Sequence, residues 1–250
     1  PLMVYLDRFV IGLTISVAAV AYYVTPYEIV TKLWLIPGAL TAVLFPRFAQ
    51  ATISSLLPAQ QLIRRGVVVL FLVMYPITLG IALFSQELLT LWLDAEFAAH
   101  SYRLLQVFAF GILVNSMAHI PFTFLQGVGR SDRTGRIHAI EFPIYAILLW
   151  GAAQTTGLYG VVSAWLLRII ADTLLLFYFA LKEMKDGIKD VIDWKLILVL
   201  ALVAISFAGL FVPINAVRLM IWIVSVVGGY FLYWRMRFSE NRCAALLRRF

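Results

Sequence analysis

Residues 5–48 read YLDRFVIGLTISVAAVAYYVTPYEIVTKLWLIPGALTAVLFPRF. Inside this almost unbroken apolar run stand Asp7, Arg8, Glu28 and Lys32, together with Pro26 and Pro37. Ionisable groups at membrane depth are costly, and they persist there by facing a wet cavity or one another. Each is therefore read first as part of a path. Broken helices are tolerated at the same depth where neighbouring helices or a cavity satisfy the freed carbonyls. Charge and helix breaks in one apolar stretch point to a transporter.

The rest of the chain carries the same signature. Of 250 residues 63% are hydrophobic and 13% charged, the latter about half the usual soluble share. Runs of mostly apolar residues recur, each about the 17–25 residues that span a bilayer as a helix. The expected fold is all-α: a polytopic transmembrane helical bundle of about eight spans. The net charge of +7 does not imply a nucleic-acid partner, because the basic residues sit between spans and at the tail. The single Cys243 excludes an internal disulfide, and its neighbours Arg242, Arg248 and Arg249 suggest a reducing, cytoplasmic side.

Span one runs from Pro1 to about Leu13 and is short for a crossing, so an upstream part is expected to be missing. Asp7 and Arg8 are adjacent and point about 100° apart on a helix, which predicts different partners for the two. Span two, Val17 to Phe45, should tilt or kink, with Pro26 and Pro37 as the places to kink. Glu28 and Lys32 are four apart in the order that favours a helical ion pair, which a purely structural role would also explain. Arg47 to Arg65 reads as a loop with an amphipathic piece. Span three is Val67 to Phe84, and a short interfacial helix around Leu88, Leu91 and Trp92 follows.

Span four, Tyr102 to Leu125, carries Asn115 and His119 one turn apart, suited to interhelical hydrogen bonds or to sugar contact. The segment QGVGRSDRTGR, residues 126–136, follows no strand and reads as a tight turn, not a dinucleotide loop. Span five, Ile137 to Ala153, holds Glu141. Span six, Leu158 to Leu181, holds Arg168 and Asp172, and its Gly157 and Gly160 suit a hairpin with close packing. Residues 182–195 form a charged connector. Residues 196–250 hold spans seven and eight, Leu196 to Val212 and Val217 to Trp234, and a basic tail.

Alternate connections hold three, three, four and five Lys plus Arg, while the opposite ones hold at most Arg103 and Arg218. That asymmetry predicts a multi-pass protein with its C-terminus in the cytoplasm.

No catalytic constellation is present. His100, His119 and His138 are 19 residues apart in sequence and do not form a metal-ligand set by spacing. There is no nucleophile motif and no Walker A loop. The chain is read as neither an enzyme nor a cofactor or metal binder. Transport would run on an ion or substrate gradient, with Asp7, Arg8, Glu28, Lys32, Glu141, Arg168 and Asp172 lining the cavity. Arginine forks suit a pyrophosphate headgroup. A carboxyl stripped of water holds a proton more readily, which suits it to carry a coupling proton.

Several ordered blocks carry a more specific resemblance. They are YLDRFVIG, AVAYYVTPYEIVTKLWLIPGALTAVLFPRFA, ELLTLWLDAEFA, IPFTFLQGVGRSDRTGRIHAIEFPIY and GVVSAWLLRIIADTLLLF, spread over roughly residues 1–185. They resemble the second half of bacterial oligosaccharide flippases, the Wzx-like translocases of the multidrug/oligosaccharidyl-lipid/polysaccharide (MOP) exporter superfamily. Positions matching that pattern are Asp7, Arg8, Pro26, Pro37, Pro46 and Gly129.

The resemblance implies a C-terminal six-helix lobe over residues 1–181, followed by the connector and two accessory helices. It implies a bacterial inner-membrane protein that flips undecaprenyl-pyrophosphate-linked oligosaccharides by alternating access. Its partners would be the lipid-linked oligosaccharide, membrane lipids and the polysaccharide polymerase machinery, for O-antigen or a similar surface polysaccharide. A cation-coupled drug antiporter of the same superfamily is an alternative, although Arg8 and Arg168 fit it poorly. An integral-membrane enzyme of polysaccharide assembly is another, although no long outward loop with clustered polar residues is present. A structural membrane subunit is a third.

Overall fold

The computed structural model describes residues 2–54, 57–184, 203, 206–207 and 215–247. The elements are α1 (Leu2–Thr14), α2 (Val17–Thr31), a 3-10 turn (Lys32–Trp34), α3 (Leu35–Ser54), α4 (Leu57–Leu83), α5 (Ser85–Trp92), α6 (Ala95–Gly127), α7 (Ser131–Glu183) and α8 (Asn215–Leu247). There is no strand among the described residues, as the apolar periodicity predicts. Among the described residues, four stretches are long and apolar enough to cross a membrane: Val17–Gln50, Ala59–Leu83, Ala95–Gly127 and Ser131–Glu183. The chain divides into two units, Pro1–Asp190 and Val191–Phe250.

In the first unit α6 is the central helix, packed against α2, α3, α4, α5 and α7, and α1 lies on α2 and α7. The centre of that packing is aromatic. Phe108 of α6 meets Tyr23, Tyr27 and Trp165 edge-on, with ring centroids 5.0, 5.3 and 5.0 Å apart. Gly111 lies beside the same Trp165, and a Cβ there would run into the indole. Trp165 is only 2% exposed and has nowhere to retreat. Gly111→Val is therefore expected to cost about 1–3 kcal/mol by overpacking. The check is a lower detergent-solubilised Tm beside an unchanged Tm for Gly151→Val, where a Cβ meets nothing within 4 Å.

α7 is two helices joined at Gly157, whose φ of 61° and ψ of −138° break the helical course. A continuous helix would set residues 138 and 172 about 51 Å apart at 1.5 Å per residue. His138 Nδ1 instead lies 3.7 Å from Asp172 Oδ1, so the limbs 131–156 and 158–183 double back on each other. Each limb is long enough, at ~39 Å, to cross a hydrocarbon core of ~30 Å. The predicted hairpin is present, with Gly160 in its expected role. A Cβ at Gly160 would collide with the Ala152 carbonyl and Thr156. At the other end Arg130 and Arg133 both reach Glu183 Oε1, at 3.2 and 3.5 Å, and clasp the limbs together. Gly157→Ala places a Cβ on a backbone that L-residues avoid. It is expected to cost about 1–3 kcal/mol, measurable as a lower Tm.

Three boundaries differ from the sequence reading. The break in span two falls at Lys32–Trp34, between the prolines, while the helix runs through Pro26. Pro37 has no N–H for the Leu33 carbonyl four residues earlier, and its ring crowds that carbonyl. The chain tightens there, and the Leu35 N–H turns to the Lys32 and Leu33 carbonyls. The expected loop from Arg47 is helical to Ser54 and again from Leu57. α6 begins at Ala95, capped by Asp94, whose Oδ1 accepts the Phe97 N–H at 2.7 Å. The short helix expected around Leu88, Leu91 and Trp92 is α5, with Trp92 62% exposed. The tight turn after α6 places Gly129 at φ 75°.

In the second unit, α8 contains the eighth expected span and continues helical to Leu247. It exposes Met220, Val224, Val227, Phe231 and Trp234. The Ser206 hydroxyl donates to Ser225 Oγ at 2.8 Å. Most of the seventh span, and the connector from Lys185, lie outside the described residues.

Candidate functional site

The seven ionisable residues singled out from sequence fall on α1, on α2 with its 3-10 extension, and on the two limbs of α7. Asp7 is 2% exposed. Its Oδ2 accepts the Tyr23 hydroxyl at 2.8 Å, and its Oδ1 accepts the Arg8 N–H at 2.9 Å. Arg8 Nη2 donates to Glu28 Oε1 at 2.6 Å. Asp7 and Arg8 thus find different partners, as their adjacency requires, but both partners lie on α2. A helical side chain leans toward its own N-terminus. In the hairpin formed by α1 and α2, that lean carries the long Arg8 side chain toward Glu28, one level beyond Tyr23.

Glu28 also faces Lys32 Nζ at 3.7 Å. The expected i,i+4 pair exists, but it is the weaker of two contacts, and Lys32 is 79% exposed. Arg8 lies near two aromatic rings, with its Cζ 5.0 Å from the Tyr5 centroid and 5.9 Å from that of Tyr27. A guanidinium over ring faces is stabilised by the ring quadrupoles.

Arg168 does not pair with Asp172, its neighbour one turn on. Its Nη1 meets Met3 Sδ at 3.5 Å and its Cζ lies 5.1 Å from the Tyr145 centroid, while Nε is buried with no hydrogen-bond partner. Its charge acts on Asp7 and on Asp172, so it joins the α1–α2 cluster to the α7 hairpin. There Glu141 Oε2 and Asp172 Oδ1 approach His138 Nδ1 at 3.4 and 3.7 Å. A groove of about 520 Å³ runs between the limbs, lined by Arg133, Glu141, Tyr145, Arg168 and isoleucines and leucines.

All seven residues thus belong to one polar belt crossing apolar helices. Sequence reading missed His138, Tyr23, Tyr27 and Tyr145. Nothing in the sequence sets these tyrosines apart from the other aromatics of the apolar runs. The signal for His138 was its i,i+3 spacing to Glu141, passed over because the histidines were compared only with one another. Asn115 and His119 are half-buried on α6. Among the described residues neither side chain makes a hydrogen bond to another helix.

Tyr23 carries the buried end of the belt. Tyr23→Phe removes the only side-chain donor to Asp7 among the described residues and leaves a buried carboxyl oxygen unsatisfied, a change worth about 1–3 kcal/mol. The expected result is a lower Tm in detergent with normal membrane insertion. An unchanged Tm would mean that the pair contributes nothing to folding.

Comparison with known proteins fits this arrangement. Residues 55–150 match the MatE family. The chain is 32% identical over 176 residues to a Shigella flexneri protein named "Putative O-antigen transporter". That alignment covers 70% of this chain and 42% of the relative, so the chain spans about two fifths of the relative's length. The resemblance read from the ordered blocks is borne out.

Proposed function

We propose that the chain, which carries a segment matching MatE and in part resembles a protein named "Putative O-antigen transporter", forms the C-terminal lobe of a bacterial oligosaccharide flippase. In this reading residues 1–181 are the lobe, residues 182–195 a cytoplasmic connector, and residues 196–250 two accessory helices and a cytoplasmic tail. The cargo is an undecaprenyl-pyrophosphate-linked oligosaccharide destined for a surface polysaccharide. The polymerase machinery that uses the same lipid carrier takes the product. Function rests on binding and conformational change, with no bond made or broken by the chain.

The observation that carries the reading is the polar belt. Two arginines, Arg8 and Arg168, stand among apolar helices without being locked into closed ion pairs. Arg8 shares a partly exposed Glu28, and Arg168 keeps a buried Nε–H unused. A planar fork resting near aromatic rings is suited to phosphate oxygens, which accept two parallel hydrogen bonds. Asp7, Glu28, Glu141 and Asp172 keep the belt from being uniformly positive when cargo leaves. A drug antiporter for cations would be poorly served by these two arginines, so the anionic lipid headgroup is the better fit.

Alternating access in this reading is relative motion of the α1–α2 hairpin and the α7 hairpin, which meet at Met3 with Arg168 and at Tyr27 with Trp165. The test is genetic. The native gene encoding this chain should restore surface polysaccharide to a strain lacking its own flippase. Continued build-up of the lipid-linked precursor in the complemented strain would refute the proposal.

A further inference from the structure

We propose that His138, Glu141 and Asp172 form a binding site for a divalent transition-metal cation that fastens the two limbs of the α7 hairpin. The three ligand atoms lie within 4.8 Å of one another, with His138 Nδ1 at 3.4 Å from Glu141 Oε2 and 3.7 Å from Asp172 Oδ1. Ligands on ~2.0–2.1 Å bonds at a tetrahedral angle stand roughly 3.3 Å apart. Shifts of a few tenths of an ångström at the imidazole, with a modest closing of the two carboxylates, bring the set to that geometry.

Hydrogen bonding within the protein does not satisfy the cluster. Glu141 and Asp172 are 8% and 6% exposed, yet Glu141 Oε1 and Asp172 Oδ1 are enclosed without any hydrogen-bond partner. The imidazole offers one Nδ1–H, which can serve one carboxylate and not both. Arg168 is one turn from Asp172 but is extended toward Met3 and Tyr145. Two buried carboxylates facing one ring nitrogen suit a compact cation carrying more than one charge.

The donor set selects the class of ion. One imidazole nitrogen with two carboxylates suits zinc and its divalent neighbours, whereas calcium and magnesium take oxygen donors. Three protein ligands leave a fourth position for water. His138 is 42% exposed at its side chain and gives the ion a way in. His138 and Glu141 sit one turn apart on the first limb and Asp172 on the second, so the bound ion cross-links them. The site shares Glu141 and Asp172 with the polar belt, but its occupancy is measured with no cargo present.

The test uses Zn²⁺ alone, titrated into the purified full chain in detergent by calorimetry, with Co²⁺ as a spectroscopic substitute. The expected result is one Zn²⁺ per chain and a raised Tm, since a ligand held only by the folded state stabilises it. Co²⁺ should give the intense visible bands of a four-coordinate site. His138→Ala and the near-isosteric Asp172→Asn should each weaken binding by at least roughly tenfold and remove the Tm rise. His100→Ala, outside the cluster, should bind as the wild type does. The absence of saturable Zn²⁺ binding would overturn the proposal, and so would binding that survives both cluster variants or is lost in His100→Ala.

Discussion

Arg8→Ala in the native protein is expected to abolish surface polysaccharide while leaving membrane abundance normal. Arg8 makes its closest side-chain contact with Glu28, at 2.6 Å, and Glu28 is 45% exposed at its side chain. Once the guanidinium is gone, Glu28 keeps Lys32 at 3.7 Å and can take up water, so folding loses little. An exposed pair of this kind contributes about 0–1 kcal/mol. The loss falls on cargo. A hydrogen bond to a charged group is worth about 1.5–3 kcal/mol, or roughly 10–150-fold in rate if it is made only at the transition state. Arg8→Lys keeps the charge but loses the planar fork, and should recover activity only in part. The measurement is surface polysaccharide by gel or antibody, read against immunoblots of the membrane fraction. Normal polysaccharide in Arg8→Ala would remove this residue from the mechanism.

Asp7 should behave differently, because it is buried. Asp7→Ala is expected to abolish polysaccharide and also to lower the Tm, since the Tyr23 hydroxyl then has no acceptor in an enclosed site. An unsatisfied buried hydroxyl costs about 1–3 kcal/mol. Asp7→Asn separates the two effects. Its amide oxygen can still accept from Tyr23, so the Tm should return most of the way, but the negative charge between Arg8 and Arg168 is gone. If the charge is needed to release an anionic headgroup or to carry a coupling proton, Asp7→Asn stays inactive. Full activity in Asp7→Asn would make Asp7 a structural acceptor only.

These two residues also show how far sequence could reach. Charge in an apolar run is legible because the bilayer makes it costly, and all seven residues found that way lie along one belt. The hairpin at Gly157 was legible because few residues other than glycine adopt its backbone conformation. The shape of the belt was not legible. Spacing alone paired Glu28 with Lys32 and set Arg168 beside Asp172. The folded chain gives Glu28 mainly to Arg8 and turns Arg168 to Met3 and Tyr145, because interhelical distance outweighs helical register for long side chains. His138 was hidden for the same reason, since its partner Asp172 is 34 residues away and reached only through the hairpin. The break at Lys32–Trp34 was misplaced onto the prolines, although the carbonyl a proline orphans lies one turn before it.

In the proposed function this chain helps carry a pyrophosphate-linked oligosaccharide across a bilayer. Its most direct test is flipping in proteoliposomes, with the native protein reconstituted beside a labelled polyprenyl-pyrophosphate oligosaccharide and a membrane-impermeant reagent that modifies outer-leaflet sugar. The account predicts that label placed in one leaflet becomes accessible in the other with time, and that Arg8→Ala slows this to the rate of protein-free vesicles. Label that crosses no faster with the wild-type protein than without it would contradict the account.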